Sequence, residues 1–481
     1  MLSRCWTGST GPGGAMNRQA VLALVLAAGV IIAAVVIATA GDALDPRIPT
    51  EAAESTIGVE QQRSDPSNIV FDQRTVRVYD ILLDEAEQAK LDANPTAEQY
   101  VEGAVIIDGE HYGPIGVRYK GFFGVLRQCF FTGVNTCDKL AWKLKFNHYE
   151  PSLRFHGLKR LNFHQMNSDD AQMREVLTYQ VFRDAGVAAP RSVFALLRLN
   201  GEPLGLYTLS EDIDDRFIAD RFRDGGRGVL YKEIWPGNIE RLPAFSETIE
   251  GAIRRGPEDP SGLREFSASL TEAEQSDDPA AAVFAVLEDY IQDLDTLFGY
   301  LAADRLTDNW DGIVAWYCVP VCGNHNYFWY EDALSGEFSL IPWDVENSWR
   351  SPSPIRTYYG MPDWDEPDRS CRSREVFWGI DARAPHCNAV IHALVTQGWE
   401  RYIEASRELM QEVVTLEQMH ARVNAITELI EPHVLADENG PGEIKWRAAV
   451  RLLHKEIDER WQYIADKIEA WDATGKAPGD G

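Results

Sequence analysis

The spacing of apolar positions changes along this chain, and the predicted elements change with it. Val76, Val78 and the run Tyr79–Leu83 read as a strand. Tyr100–Ile107 and His111–Tyr119 read as a hairpin joined by Asp108-Gly109, a pair suited to the left-handed turn that matches strand twist. Trp142, Leu144 and Phe146 alternate with Lys143 and Lys145, the pattern of a half-buried strand with a basic outer edge. Arg160–Phe163 is a further short strand. Across Asp169–Ala185 the period lengthens. Met173, Val176, Leu177, Val181 and Phe182 share a helix face, Ser168 or Asp169 caps the start, and Gly186 ends it. Strands return at Ser192–Leu199 and Leu204–Ser210 about an Asn200-Gly201 turn. Glu211–Phe222 reads as helix and Gly228–Tyr231 as a short strand.

The second half is mostly helical. Pro243–Pro279 is polar and acidic on balance and reads as a helical insertion or an excursion from the core. Ala280–Thr307 reads as one long helix, and Asn324–Tyr330 with Glu337–Ile341 as a hairpin around Leu334-Ser335-Gly336. Ser351–Pro385 is rich in Pro and Arg, and Val390–Ala470 is mostly amphipathic helix. A mixed first half followed by a helical second half is α+β.

The N-terminus departs from both patterns. Ala20–Ala40 is 21 residues without a charge, long enough to cross a bilayer as a helix. Arg18 precedes it, and Asp42, Asp45 and Glu51 follow, so charge asymmetry places the rest of the chain outside the cytoplasm, with Arg47 a small counterweight. Length favours an uncleaved anchor, whereas Ala38-Thr39-Ala40 matches a signal cleavage site. The expectation is a membrane-anchored protein with its domain outside the cytoplasm, or a secreted one. Residues 1–19 form a cytoplasmic segment, 20–40 the transmembrane helix or signal core, and 41–67 a polar linker.

Composition narrows the function. The 481 residues exceed one small core and suit two or three units, or one two-lobed domain with insertions. A 45% hydrophobic content excludes global disorder. Acids outnumber bases 75 to 46, a formal charge of −29, which argues against a nucleic-acid partner and is compatible with bound cations or a basic protein. Of the cysteines, Cys5 lies before the apolar segment. Cys129, Cys137, Cys318, Cys322, Cys371 and Cys387 fall as sequential pairs, which suggests local disulfides in an oxidising compartment. A zinc site using Cys318, Cys322, His325 and His386 is the weaker alternative, since no second tight pair accompanies it.

The candidate chemistry lies in the second half. A loop after the long helix offers Asp308, Asn309 and Asp311, the next hairpin begins at Asn326, and Asp344 follows Ile341-Pro342-Trp343 at an apolar strand end. There a bare carboxylate needs a partner. Helix, loop, hairpin, Asp is the order that builds a kinase metal site, although Asp and Asn also occupy loops for turn reasons alone. Three stretches carry a more specific likeness: Gly201–Glu211; Arg174-Glu175-Val176-Leu177 through Gly186 to Pro190-Arg191; and Asn309-Trp310-Asp311 with His325-Asn326-Tyr327 and Pro342-Trp343-Asp344. In order and spacing, across roughly Val105 to Trp349, they resemble the spore coat protein H (CotH) kinase-like family.

That resemblance implies an atypical protein-kinase-like, two-lobed fold: a sheet-rich N-lobe at 68–235, an acidic insertion at 236–279 and a helical C-lobe at 280–475. It implies ATP with Mg or Mn between the lobes, and phosphate transfer to Ser or Thr of a secreted or surface protein. On this reading Asp311 orients the hydroxyl, with Asp308 its competitor, and Asn326 and Asp344 hold metal, with Glu346 as a second contact. Glu175 is the helix glutamate, and Lys139 or Lys143 the lysine reaching the phosphates. Arg118 and Gly121 stand in the phosphate turn and Glu211 near the adenine. Lys232 fits the pattern without a role, and His325 is structural. The chain departs from the family at Phe122–Asp138, which carries Cys129 and Cys137, and at Trp316–Gly323, which carries Cys318 and Cys322. Both insertions flank the proposed site, where they would stiffen it, shape a groove or block nucleotide. The rivals are a non-catalytic kinase-like binding module and a hydrolase pairing Asp308 or Asp311 with Asp344.

Overall fold

The computed structural model describes residues 65–478, apart from 122–125, 131–134, 138, 240, 243–245, 319–321, 350–360, 368–369 and 378–379. The chain divides into two units, Met1–Asp65 and Pro66–Gly481. The predicted membrane segment Ala20–Ala40 and most of the linker lie outside the described residues. Among those described, no helix is long and apolar enough to cross a membrane.

Seven strands close into a barrel: β1 (Arg77–Leu82), β2 (Val101–Ile107), β3 (Glu110–Lys120), β4 (Ala141–Lys145), β5 (Arg160–His164), β6 (Ser192–Leu199) and β7 (Glu202–Ser210). The order is β1-β2-β3-β4-β5-β7-β6, antiparallel except where β6 closes onto β1 in parallel. The two predicted tight turns are present. Asp108-Gly109 and Asn200-Gly201 all have positive φ, as a hairpin of this hand requires. Alternation then decides what is inside. Val117 and Tyr119, Trp142 and Leu144, Leu161 and Phe163, Val193 and Ala195, Tyr207 and Leu209 belong to one core, the barrel interior. The residues between them, Arg118, Lys120, Lys143, Asn162, His164, Thr208 and Ser210, therefore stand on the outer wall. Helix α1 (Glu85–Ala93) precedes β2.

Helix α2 (Arg174–Asp184) lies on that outer wall, against β6. It starts five residues later than predicted because the Asp169 carboxylate accepts the N–H groups of Ala171, Met173 and Arg174 before the helix begins. Helix α3 (Asp215–Arg221) likewise starts late, capped by Asp214. Segment 236–279 joins the body of the molecule. It contributes β9 (Ile253–Arg255), paired with β8 (Val229–Lys232), and α4 (Ser261–Ala273), whose Leu263, Phe266 and Leu270 are buried. The predicted helix Ala280–Thr307 is two: α5 (Pro279–Tyr290) and α6 (Leu294–Leu306). Between them the Gln292 N–H donates to the Phe338 carbonyl at 3.0 Å, and Asp293 caps α6. A tertiary strand contact thus takes the bond that would have continued the helix.

Two small sheets follow. β10 (Tyr317–Cys318) and β11 (Cys322–Gly323) pair beside β14 (Arg374–Phe377) and β15 (Ile380–Ala382), in the order β11-β10-β15-β14. β12 (Tyr327–Glu331) and β13 (Phe338–Pro342) join β8 and β9 in the order β13-β12-β8-β9. The disulfides pair sequentially as predicted: Cys129–Cys137, Cys318–Cys322 and Cys371–Cys387. Helices α7 (Ala389–Glu408), α8 (Leu416–Ala436) and α9 (Glu443–Thr474) complete a second core that runs from the barrel wall through α2 and α6.

Two buried ion pairs fasten the C-terminal helices to α2 and to the barrel. Arg174 donates to the Ser348 carbonyl at 3.0 Å, to the Trp349 carbonyl, and to Glu456 of α9 at 2.6 Å. Asp437, just after α8, takes the Lys139 ammonium at 3.0 Å and the Leu206 N–H at 2.9 Å. It can approach only because residue 205 is glycine, with φ +109° and no room for a Cβ against that carboxylate.

Candidate active site

The outer wall of the barrel and the N-terminal turn of α2 enclose a polar cluster. β5 offers His164, and β7 offers Thr208 and Ser210, brought level by the register that sets His164 opposite Thr208. Glu175, the second residue of α2, points into this group. One oxygen meets His164 Nδ1 at 2.8 Å and the Ser210 hydroxyl at 2.9 Å, and the other accepts from Thr208 at 2.5 Å. Burial raises the Glu175 pKa, but His164 and the two hydroxyl donors outweigh it, and the net shift is downward. Lys120, the last residue of β3, meets the other His164 nitrogen, Nε2, and lies 5.4 Å from the Trp343 ring centre. Burial depresses its pKa to about 8, against the opposing pull of Asp344.

Asp344 joins this cluster to a second one. It directly follows Trp343, with φ +52°, and its N–H donates to the Tyr179 hydroxyl at 3.0 Å. Ligand atoms of His164, Glu175 and Asp344 all lie within 4.8 Å of one another. The Asp344 charge also acts on Asp311. The Asp311 carboxylate accepts from the Tyr317 hydroxyl at 2.7 Å and from the Asn347 amide at 3.0 Å. Burial, with the Asp344 and Glu233 charges adding to it, pushes the Asp311 pKa up to about 7, although the Tyr317 and Asn347 donors pull the other way. The Asn326 side-chain amide donates to the Asp311 carbonyl at 3.1 Å, and its N–H meets Glu233 at 3.3 Å. Glu233, Asn326 and Asp344 all hold the left-handed conformation, tolerated by Asn and Asp and costly for Glu, a concentration typical of working sites.

Asp311, Asn326, Asp344 and Glu175 are therefore gathered in one region. The other expected residues stand elsewhere or are otherwise engaged. Asp308 turns to Arg460 at 3.5 Å. Lys139 is buried against Asp437, on another part of the outer wall. Lys143 bonds Asp212 at 2.8 Å, and Arg160 shares that carboxylate. Glu211 is enclosed by Arg191 at 2.5 Å and Arg221 at 2.7 Å, so its carboxylate is committed to ion pairs rather than open to an adenine. Arg118 pairs with Glu98 at 2.6 Å, and the same glutamate accepts the Gly121 N–H at 2.9 Å, which shapes the turn after β3. Asn309 is a buried structural residue bonded to Asp304. His325 stacks on Tyr317 at 4.3 Å, and burial lowers its pKa to about 4. Glu346 sits in the short helical turn after Asp344.

Lys120, His164, Glu233, Tyr317 and Asn347 were not singled out from the sequence. A signal existed for the first two: Arg118 and Lys120, Asn162 and His164, Thr208 and Ser210 are polar positions of alternating strands. Only the placement of α2 reveals which of them are covered. The set fits a divalent cation beside a polyphosphate. The Asp311 and Asp344 carboxylates, whose charges oppose each other, are relieved by a cation that prefers oxygen donors, and Lys120 stands alongside.

Comparison with known proteins adds three findings. The family described as CotH kinase protein matches residues 117–464. The inner spore coat protein H of Bacillus subtilis (strain 168) is 23% identical over 334 residues, covering 69% of this chain and 83% of that protein. Among solved structures, the Helicobacter pylori proinflammatory kinase CtkA aligns with 66% of this chain and 92% of its own, at 12% identity and a TM-score of 0.31, a likeness too slight to argue from.

Proposed function

Because the chain belongs to the CotH kinase protein family, we propose that it transfers phosphate from ATP to Ser or Thr of a secreted or surface protein, outside the cytoplasm. The observation that carries this reading is the position of Asp344, whose carboxylate lies within 4.8 Å of ligand atoms of His164 and Glu175 and whose charge acts on both Lys120 and Asp311. Asp344 and Asn326, with Glu175 in reach, would hold Mg or Mn. When bound, the cation would neutralise charge on the transferred phosphate. The remaining roles fall to the chain. Lys120 presents a positive charge to the phosphates, and Glu175 holds it in place through the His164 ring. Asp311, its carboxylate plane fixed by two donors and its pKa near neutrality, accepts the proton of the attacking hydroxyl. Three disulfides support an oxidising compartment. With the apolar segment Ala20–Ala40 they support attachment to, or passage through, a membrane.

One observation favours the non-catalytic alternative: among the described residues no lysine bonds Glu175 directly, since His164 stands between. The deciding experiment incubates the full chain with labelled ATP and Mg or Mn, beside Asp344→Ala. The phosphotransferase reading expects nucleotide-dependent thermal stabilisation and labelling in the first, with both lost in the second. Absence of metal-dependent nucleotide binding from both leaves the binding-module reading.

A further inference from the structure

We propose that Tyr317, held in place by the Cys318–Cys322 disulfide, is a positioning residue that sets the plane of the Asp311 carboxylate. The proposal rests on the phosphotransferase reading, in which that carboxylate meets the substrate hydroxyl. It assigns a task to a segment absent from the family pattern.

The geometry is as follows. Asp311 follows α6 in a loop, and a carboxylate on a loop is free to turn about its terminal bond unless both oxygens are tied. Here each oxygen has its own donor: Tyr317 to one and Asn347 to the other. Asn347 comes from the turn just after Asp344, so that side of Asp311 is fixed by the metal-binding segment itself. The other side depends on Tyr317, which lies in a strand of only two residues. Such a strand has too few ladder bonds to hold a side chain still. Four contacts make up the deficit. Tyr317 pairs with Gly323 of β11 and with Ala382 of β15. Its ring stacks on His325 at 4.3 Å and 20° between planes. The next residue, Cys318, is bonded covalently to Cys322, its direct partner across the β10–β11 pair. The disulfide thus locks the register of the strand that delivers the hydroxyl. His325 carries the same constraint to its neighbour Asn326, whose amide bonds the Asp311 carbonyl.

A positioning role differs from a purely structural one in its kinetics. Asp311 meets the acceptor hydroxyl and does not bind nucleotide, so disturbing Tyr317 lowers kcat and leaves the KM for ATP alone. The test measures ADP release from ATP with Mn and histone as acceptor, for the wild-type full chain, Tyr317→Phe, and Cys318→Ser combined with Cys322→Ser. Tyr317→Phe keeps the ring, the stack and the strand pairing, which guards against simple unfolding, and thermal melts accompany each variant. The expected result is a kcat roughly tenfold or more lower in both variants, with the KM for ATP within about twofold. Wild-type kcat in Tyr317→Phe, or a fall in kcat that tracks a raised KM and a lower melting temperature, overturns the proposal while the kinase reading stands. Normal kcat in the double serine variant beside an impaired Tyr317→Phe overturns the part given to the disulfide. A wild-type chain that transfers no phosphate sinks the proposal together with the reading beneath it.

Discussion

Replacing Asp311 by Asn is expected to raise the stability of the protein at pH 8 while abolishing phosphoryl transfer. An Asp in the unfolded chain titrates near its ordinary value of 3.8, whereas the folded site pushes Asp311 up to about 7. The folded state therefore holds a proton that the unfolded state has released between those two values. Stability is greatest while the group is protonated in both states and is lost as the pH rises through 7. A displacement of about three pKa units corresponds to roughly 4 kcal/mol of destabilisation by the ionised carboxylate. Asparagine removes that charge at similar volume. Its carbonyl still accepts from Tyr317, but its NH2 then opposes the Asn347 NH2, a mismatch of about 1–2 kcal/mol. The net gain at pH 8 is about 2–3 kcal/mol. Urea unfolding at pH 8 and pH 5.5, without nucleotide or divalent metal, measures it. At pH 5.5 the folded carboxyl is neutral while the unfolded one is still ionised, so part of the penalty remains and the gain should shrink by about 2 kcal/mol relative to pH 8. A loss of stability at pH 8, or a gain of equal size at both pH values, would refute the burial and Asp344 repulsion assigned to this carboxylate.

Other outcomes follow from the same geometry. Lys120 stands at about pKa 8, so its charge is present below that pH and lost above it. Nucleotide affinity measured by calorimetry should fall about tenfold between pH 7 and pH 9, and Lys120→Met should abolish that dependence. Lys139→Met should instead destabilise the fold by about 3–5 kcal/mol in urea, because Asp437 is left buried and unpaired. The nucleotide affinity of the folded protein should be retained, and loss of affinity without loss of stability would return Lys139 to the phosphate site. Arg174→Ala should cost about 3–5 kcal/mol, since it removes the buried ion pair with Glu456 and frees two carbonyls that follow the Asp344 turn.

What was legible in the sequence was mainly local. Asp108-Gly109 and Asn200-Gly201 announce their hairpins because the turn selects residues that accept positive φ, and strand alternation announced a basic edge at Lys143 and Lys145. Sequential cysteine pairing was legible for a similar reason, since short loops close at little entropic cost. The break between α5 and α6 was hidden because its cause is distant: the Gln292 N–H is taken by Phe338. The choice among lysines was hidden too. Lys120, Lys139 and Lys143 all lie in or near strands of the outer wall, and nothing nearby in the chain tells which meets His164, which meets Asp212 and which meets Asp437. Glu211 looked available in sequence and is enclosed by Arg191 and Arg221, both supplied by other segments.

The parallel seam between β1 and β6 carries a consequence for how this protein is made. Arg77 lies opposite Ala195, so the opening strand must wait for more than a hundred further residues before its second edge is covered. Contacts of such long range form slowly, and an uncovered strand edge invites other chains. Biosynthesis of this molecule therefore calls for something to shield a nascent edge, and trapping the half-made barrel at high expression should yield aggregates seeded by its first hairpin.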